Sequence, residues 1–427
     1  MLPLMTFLMI LLLLLGFPFM VTLLIPLIAS IVLFIPRFPM ENIVQQIVGG
    51  IKPASLVCIP LFILAANIIT SGQSAKKLVR LVQSYLGHIP GGLAITTNAS
   101  CTLFGSVSGS TQATVAAIGG TMRPMLLDAG YPSSWTLALI INSSDIAFLI
   151  PPSIGFIVYG VATSTSVGKL FLSGVLPGIL IFTLFSIYAY FYSKYRKIGV
   201  SPKASLQERW IATKEGFLLM GFPVIVIGGI YFGILSPTEA SAATVFYALI
   251  LEGFVYKTLS WSMLRKALLS TGIVTAVVFI LVGAGQAFSM VISFMRIPQT
   301  YLPMLFGENP STLKVIIIIN IAYFIACMFV DPIVAIYILS PIFQPYVLQA
   351  GVNPVLIGTL VTLQAAIGSA TPPFGADIFT AQLIFRRPYL EIIRSTPPFI
   401  LILLLVNVLI IIFPDIAMFL PNLSFGA

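Results

Sequence analysis

The chain has 427 residues, of which 59% are hydrophobic and only 8% are Asp, Glu, Lys or Arg. Its 21 basic and 12 acidic residues give a formal net charge of +9, and its mean hydropathy is +1.09. Soluble globules carry roughly 25% charged residues, so soluble enzymes, disordered proteins and secreted disulfide scaffolds are excluded and an all-α polytopic membrane protein is predicted. A β-barrel is excluded too, because runs such as Leu8 to Leu15 are apolar on every face rather than alternating.

In chain order, the first apolar stretch runs from Leu2 to Ile35 with no basic residue before Arg37, so it reads as membrane helix rather than signal peptide. Gly16, Pro18 and Pro26 interrupt it, which leaves either one bent span or two shorter segments. Further apolar stretches fall at residues 53–72, 92–122, 134–161, 170–193, 216–234, 240–256, 268–295, 313–330, 332–348, 355–384 and 397–420. At about 20 residues per span this predicts about eleven to thirteen membrane segments. The most polar stretch, Ser193 to Glu215, carries Lys194, Arg196, Lys197, Lys203, Arg209 and Lys214 and is predicted to be cytoplasmic. It divides the chain into a first repeat (residues 1–193), a basic linker or amphipathic segment (194–215) and a second repeat (216–427). The smaller basic clusters, Lys76, Lys77 and Arg80, and Arg386, Arg387 and Arg394, read as loop or headgroup contacts. The basic balance therefore implies a lipid bilayer and no nucleic acid.

Metal centres and ATP chemistry have no support in the sequence. Cys58, Cys101 and Cys327 lie in apolar segments without ligand spacing, the only histidine is His88, and no phosphate-binding loop occurs. No His or Lys base stands beside a Ser nucleophile in the membrane segments, so an enzyme is not expected.

The halves repeat each other. Adding 221 sets Pro124, Leu127, Ala129 and Gly130 beside Pro345, Leu348, Ala350 and Gly351, and Leu139, Ile146, Pro151 and Pro152 beside Leu360, Ile367, Pro372 and Pro373. Internal repeats of this kind mark transporters, with sites where the repeats meet near mid-membrane. Hydropathy alone does not fix whether the repeat is inverted.

Within each repeat, helix breakers interrupt apolar sequence: Gly105 to Gln112 and Asn142 to Ser153 in the first, Asp331-Pro332 and Gly368 to Gly375 in the second. A double proline frees carbonyl oxygens, which in hydrocarbon must face protein, water or an ion. Such carbonyls with Ser and Thr hydroxyls suit Na⁺, while half-helix N-termini suit an anion. The competing reading is close helix packing through small residues. Asp145, Asp331 and Asp377 stand in apolar surroundings, as ligands or as helix caps, since an ionised Asp at a helix centre costs roughly 2.5–3.5 kcal/mol. Glu239, after Ser236-Pro237-Thr238, reads as a capping element.

Several motifs resemble the large membrane subunit of tripartite ATP-independent periplasmic (TRAP) transporters. They are Ile59-Pro60-Leu61-Phe62-Ile63-Leu64-Ala65, Gly105-Ser106-Val107-Ser108-Gly109-Ser110, Ala117-Ile118-Gly119, Gly130-Tyr131, Ser143-Ser144, Leu149-Ile150-Pro151-Pro152-Ser153, Pro237-Thr238-Glu239-Ala240, Tyr247-Ala248-Leu249 and Thr371-Pro372-Pro373-Phe374-Gly375. Ala147 and Ala326 depart from the family pattern, where glycine is common, and Asp145 stands where a small or neutral residue is usual.

The resemblance implies two inverted repeats with helical hairpins and broken helices, a scaffold and an elevator-type transport domain. It implies Na⁺-coupled import of an organic acid, of the sialic acid or C4-dicarboxylate class, across the bacterial inner membrane. The first hairpin and break would bind Na⁺ and substrate through Ser106, Ser108, Gly109, Ser110, Ser143, Ser144, Asp145, Pro152 and Ser153. The second would use Asp331, Gly368, Ser369, Thr371, Pro373 and Gly375, with Na⁺ itself at Ser106, Gly109, Asp331, Gly368 and Thr371. Expected partners are a small four-span membrane subunit on a separate chain and a periplasmic substrate-binding protein. The alternative is a stand-alone Na⁺/organic anion symporter that needs no binding protein.

Overall fold

A computed structural model describes residues 2–35, 38–198, 200–307 and 309–426. Helices are the regular structure throughout, with no strand among the described residues. The amino-terminal stretch forms two helices, α1 (Leu2–Leu14) and α2 (Phe19–Phe34), which pack on each other. Gly16, at φ +77°, and Pro18 separate them, so the two-segment alternative holds. After α3 (Met40–Gly50) and α4 (Ala54–Ser71), the amphipathic α5 (Ser74–Leu86) leads into the first hairpin.

That hairpin is α6 (Gly92–Ser108) and α7 (Thr111–Asp128). Gly109 closes α6 at φ +61°, a left-handed conformation that glycine adopts without a Cβ clash. Ser110 then caps α7 by accepting a hydrogen bond from the Ala113 N–H at 3.3 Å. Next come α8 (Ser133–Asp145), a single 3₁₀ turn, the Pro151–Pro152 break and α9 (Ile154–Thr163). Trp135 anchors the start of α8, with ring centroids 4.4 Å from Tyr192 and 5.0 Å from Tyr131. The long α10 (Val167–Arg196) ends in the basic stretch, and α11 (Leu206–Tyr231) begins inside it, so the polar linker contributes the first turns of the next helix. There Glu215 pairs with Lys77 at 3.3 Å and Arg80 at 3.2 Å, tying α11 to α5.

The second half runs through α12 (Pro237–Val255), α13 (Trp261–Phe294) and α14 (Ile297–Phe306). Glu239 is the capping element that its sequence predicts: the Ser236 N–H donates to its carboxylate at 2.7 Å, and its own N–H donates to Ser236 Oγ. Then come the second hairpin, α15 (Thr312–Phe329) and α16 (Pro332–Gln349), and the second break between α17 (Pro354–Ser369) and α18 (Ala376–Phe385). The chain closes with α19 (Tyr389–Ile393), α20 (Pro397–Ile412) and α21 (Asp415–Phe425), the last two meeting at 56°.

The 221-residue offset carries through to the helices. Moved by 221, the α6 and α7 limits become 313–329 and 332–349, against 312–329 and 332–349 for α15 and α16. Likewise α8 and α9 become 354–366 and 375–384, against 354–369 and 376–385 for α17 and α18. The Pro151–Pro152 and Pro372–Pro373 bonds at the two breaks are both cis. Among the described residues, seven helices are long and apolar enough to span a bilayer, or eight when α20 and α21 count as one bent span. That is fewer than the roughly eleven to thirteen segments expected, because glycine and proline divide other apolar stretches into shorter helices such as α1, α2, α9, α17 and α18.

The halves interlock: α18 packs on α7 and α9 packs on α16, so each hairpin rests against the broken helix of the other repeat. Tyr159 of α9 donates to the Pro354 carbonyl at 3.1 Å, and Ser173 and Thr359 share a hydrogen bond of 2.6 Å. Helix α13 packs against α3, α4 and α16 and so stands beside the second hairpin.

Candidate substrate and ion site

A cavity of ≈ 210 Å³ lies where the two hairpin tips face α13. Its polar wall includes Gly109, Ser110, Thr111, Gln112, Asp331 and Ser369. The first residues of four helices reach it: Thr111 of α7, Ile154 of α9, Pro332 of α16 and Ala376 of α18. Four helix N-termini present partial positive charge, which suits a carboxylate, although Ser110, Ser153, Asp331 and the Gly109 carbonyl already take one N–H each at three of them. Asp331 supplies a negative group to the same space. The opposite wall is aliphatic, built from Ile273, Val274, Val277, Val278 and Leu281 of α13.

Each tip is fastened to the break of its own repeat. The Ile154 N–H donates to the Gly109 carbonyl at 3.4 Å, and the Phe374 N–H donates to the Met328 carbonyl at 3.1 Å. The crossings nearby are as close as the residues permit. A Cβ added to Gly105 would sit 2.6 Å from the Ala147 Cβ, and one added to Gly368 would overlap Cys327. Adding 221 to Gly105 and Ala147 gives Ala326 and Gly368. The alanines that depart from the family pattern are thus matched by a glycine at the partner position, with the order reversed between repeats.

Of the residues singled out in the sequence, Gly109, Ser110, Asp331 and Ser369 meet at the cavity. Asp331 also caps α16, accepting from the Ile333 N–H at 2.9 Å, so both readings of this carboxylate apply. Several others support the wall from behind. Ser153 caps α9 by accepting from the Phe156 N–H at 3.3 Å, and the Pro152 carbonyl lies against Gly109. Ser108 meets Thr114 at 3.2 Å. Ser106, Ser144 and Thr371 each donate to a carbonyl of their own helix, at Leu103, Ile140 and Ile367. Their lone pairs are left over. The Pro373 carbonyl accepts from the Tyr389 hydroxyl at 2.8 Å, and Gly375 opens α18.

Two first-repeat residues stand apart from the cavity wall. Ser143 Oγ and both Asp145 oxygens are buried without a hydrogen-bond partner. Sequence reading placed Thr111 in the first break without giving it a role, and its hydroxyl donates to Asp377 Oδ1 at 2.7 Å; the α13 wall it missed. The first sits one residue beyond the glycine-serine tip, while the second is an ordinary apolar span with no local mark. Among the described residues no group of three or more His, Cys, Asp or Glu side chains could hold a metal, and the oxygen donors at the cavity wall are hydroxyls, carbonyls and the Asp331 carboxylate. That donor set fits a hard monovalent cation.

Residues 6–416 match the family described as "Tripartite ATP-independent periplasmic transporter, DctM component". The chain is 56% identical over 423 residues to the ectoine/5-hydroxyectoine TRAP transporter large permease protein UehC of Ruegeria pomeroyi, covering 98% of each chain. It is 55% identical to the ectoine TRAP transporter large permease protein TeaC of Halomonas elongata, covering 97% of each, and 35% identical to the C4-dicarboxylate TRAP transporter large permease protein DctM of Pseudomonas aeruginosa, covering 86% of each. The Alcanivorax borkumensis YdaH transporter has a similar fold, with a TM-score of 0.60 over 91% of this chain and 88% of its own at 15% identity. These relatives are permeases and not enzymes. By its family match, its near full-length relatives and its membrane helices, the chain belongs to the TRAP transporter family as a large permease subunit of the bacterial inner membrane.

Proposed function

We propose that the chain carries a small zwitterionic solute of the ectoine class across the inner membrane, coupled to Na⁺. The cavity is the observation that supports this reading most: four helix N-termini and one carboxylate face the same ≈ 210 Å³, opposite an aliphatic wall. Ectoine is a small ring bearing one carboxylate and one amidinium. The N-termini suit the carboxylate, Asp331 suits the amidinium, and Ile273 to Leu281 suit the ring. A C4-dicarboxylate would place a second negative charge near Asp331, and a sialic acid would bring hydroxyls against the aliphatic wall. Neither fits this chemistry as well, and the two relatives of highest identity quoted above are named for ectoine.

Na⁺ would be held where each tip meets its break, by carbonyls around Gly109 and Gly368 and the spare lone pairs of Ser106 and Thr371, with Asp331 adding charge at the second site. The hairpins and broken helices would move as an elevator-type transport domain against a scaffold that includes α3, α4, α12 and α13. A small four-span membrane subunit and a periplasmic binding protein complete the tripartite assembly that the family description names. That description argues against the stand-alone symporter. The test is uptake of labelled ectoine by proteoliposomes holding both membrane subunits and supplied with the loaded binding protein. Ectoine uptake that unlabelled succinate and sialic acid fail to reduce is expected; preferential uptake of either competitor would overturn the substrate assignment.

A further inference from the structure

Behind the cavity wall, two carboxylates from different repeats meet. Asp377 on α18 is fully buried and accepts two hydroxyl hydrogen bonds, from Thr111 at 2.7 Å and from Ser369 at 2.7 Å. Asp145, at the end of α8, is 1% exposed, and its side-chain neighbours are Asp377 and Ser369. At ordinary hydrogen-bond geometry neither of its oxygens has a partner, these two side chains being the polar groups beside it. Three residues earlier, on the same helical face, the Asn142 amide donates to the Ala138 carbonyl, which leaves its own buried oxygen unpartnered. Oxygens here outnumber the protons that could satisfy them.

Nothing basic balances this pair. The three ion pairs among the described residues lie elsewhere, between Lys77 or Arg80 and Glu215 and between Arg387 and Glu391. Arg123 donates to Ser133 at the opposite end of α8. Twelve residues separate Ser133 from Asp145, which at 1.5 Å per residue is about 18 Å. The remaining titratable groups near the pair are Cys101, which accepts from Ser144, and Asp331, which adds negative charge. A buried carboxylate without hydrogen bonds or counter-charge is strongly disfavoured.

We infer that Asp145, Asp377 and Ser369 form an additional cation site, joining the two repeats and separate from the two tip-and-break positions. Its ligand class is a small hard monovalent cation of the Na⁺ type. Thr111 and Ser369 both line the cavity and both donate to Asp377, so an ion arriving from the cavity needs only to pass these two hydroxyls. The cation supplies the positive charge that the carboxylates lack, and it joins α8 of the first repeat to α18 of the second. This inference rests on the Na⁺-coupled reading proposed above, but it predicts a different count of ions.

Binding of ²²Na⁺ to the purified large and small subunits in nanodiscs tests it. Asp145→Asn, Asp145→Ser and Asp377→Asn should each bind one ion fewer per complex than wild type at saturation. The Asp145→Asn/Asp377→Asn double variant should also lose only one. Thr371→Val should instead keep the wild-type count at saturation and weaken one site about fivefold, a site that Asp145→Asn leaves at wild-type affinity. Gel filtration with the small subunit checks assembly, and any one assembled carboxylate variant suffices for the comparison. An unchanged count in an assembled variant, or two ions lost in the double variant, would overturn the additional site while leaving Na⁺ coupling in place. A wild-type complex that binds no Na⁺ would overturn both readings.

Discussion

The two hairpin-and-break units share one plan and differ in where they carry charge. Ser110 caps the second arm of the first hairpin, and Asp331, 221 residues later, caps the second arm of the other. Asp145 closes α8, where Ala366 stands in α17, and Asp377 stands in α18 where α9 has Phe156. The first unit thus offers hydroxyls at its tip and a carboxylate at its break, and the second offers a carboxylate at its tip and another just past its break. Duplication supplied the geometry, and substitution then made the halves unequal. A zwitterionic solute needs such inequality, since its two ends differ in charge.

Removing the charge from one tip should have the largest effect. Asp331→Ala deletes a carboxylate that caps α16 and faces the cavity. Losing one charge-assisted hydrogen bond costs about 1.5–3 kcal/mol, which corresponds to roughly 10- to 150-fold. Uptake at fixed Na⁺ should fall by about this factor, with a higher Na⁺ concentration for half-maximal rate. The equivalent Ser110→Ala should lose far less, because a neutral cap is worth about 1 kcal/mol. Equal losses in the two variants would erase the contrast between the tips.

The reversed glycines allow a sharper test. Gly105→Ala forces a Cβ onto Ala147, and overpacking of this kind costs about 1–3 kcal/mol. Adding Ala147→Gly recreates the order found at Ala326 and Gly368 and removes the 2.6 Å contact, but the Cα of residue 147 stays 2.8 Å from the new Cβ, so the double variant should recover only part of the thermal stability and uptake. Failure of the second substitution to rescue the first would mean that the crossings are not interchangeable.

Smaller losses are expected behind the wall. Ser106→Val and Thr371→Val each remove one hydroxyl, worth about 1 kcal/mol, or roughly fivefold. Both should raise the Na⁺ requirement by that amount while assembly is kept. Smallest of all, Ser236→Ala breaks the α12 capping box far from the cavity. Tm should fall by about 1–2 °C with no change in Na⁺ dependence, and a shift in that dependence would link the scaffold cap to the ion sites.

Much of this architecture was legible in the sequence. The double prolines, Gly130 and Gly351 set the repeat register, and that register carries the limits of four helices onto four others within three residues. Capping at Glu239 followed from Ser236-Pro237 alone. Pairing across the repeats was not legible. Thr111 and Asp377 are 266 positions apart, and no local pattern requires α18 to lie on α7. The α13 wall was hidden for the opposite reason, since an aliphatic face lining a cavity has the composition of one lining lipid. Ala147 looked like a defect until Gly105 was seen against it, because hydropathy cannot record which small residue faces which.

Transport driven by a Na⁺ gradient is the central claim, and it has a direct measurement. Proteoliposomes with both membrane subunits are loaded with Na⁺-free or Na⁺-matched buffer, given loaded binding protein outside, and assayed for ectoine uptake at equal membrane potential. An inward Na⁺ gradient should produce accumulation, and matched Na⁺ should allow only equilibration. Equal accumulation with and without the gradient would contradict the account.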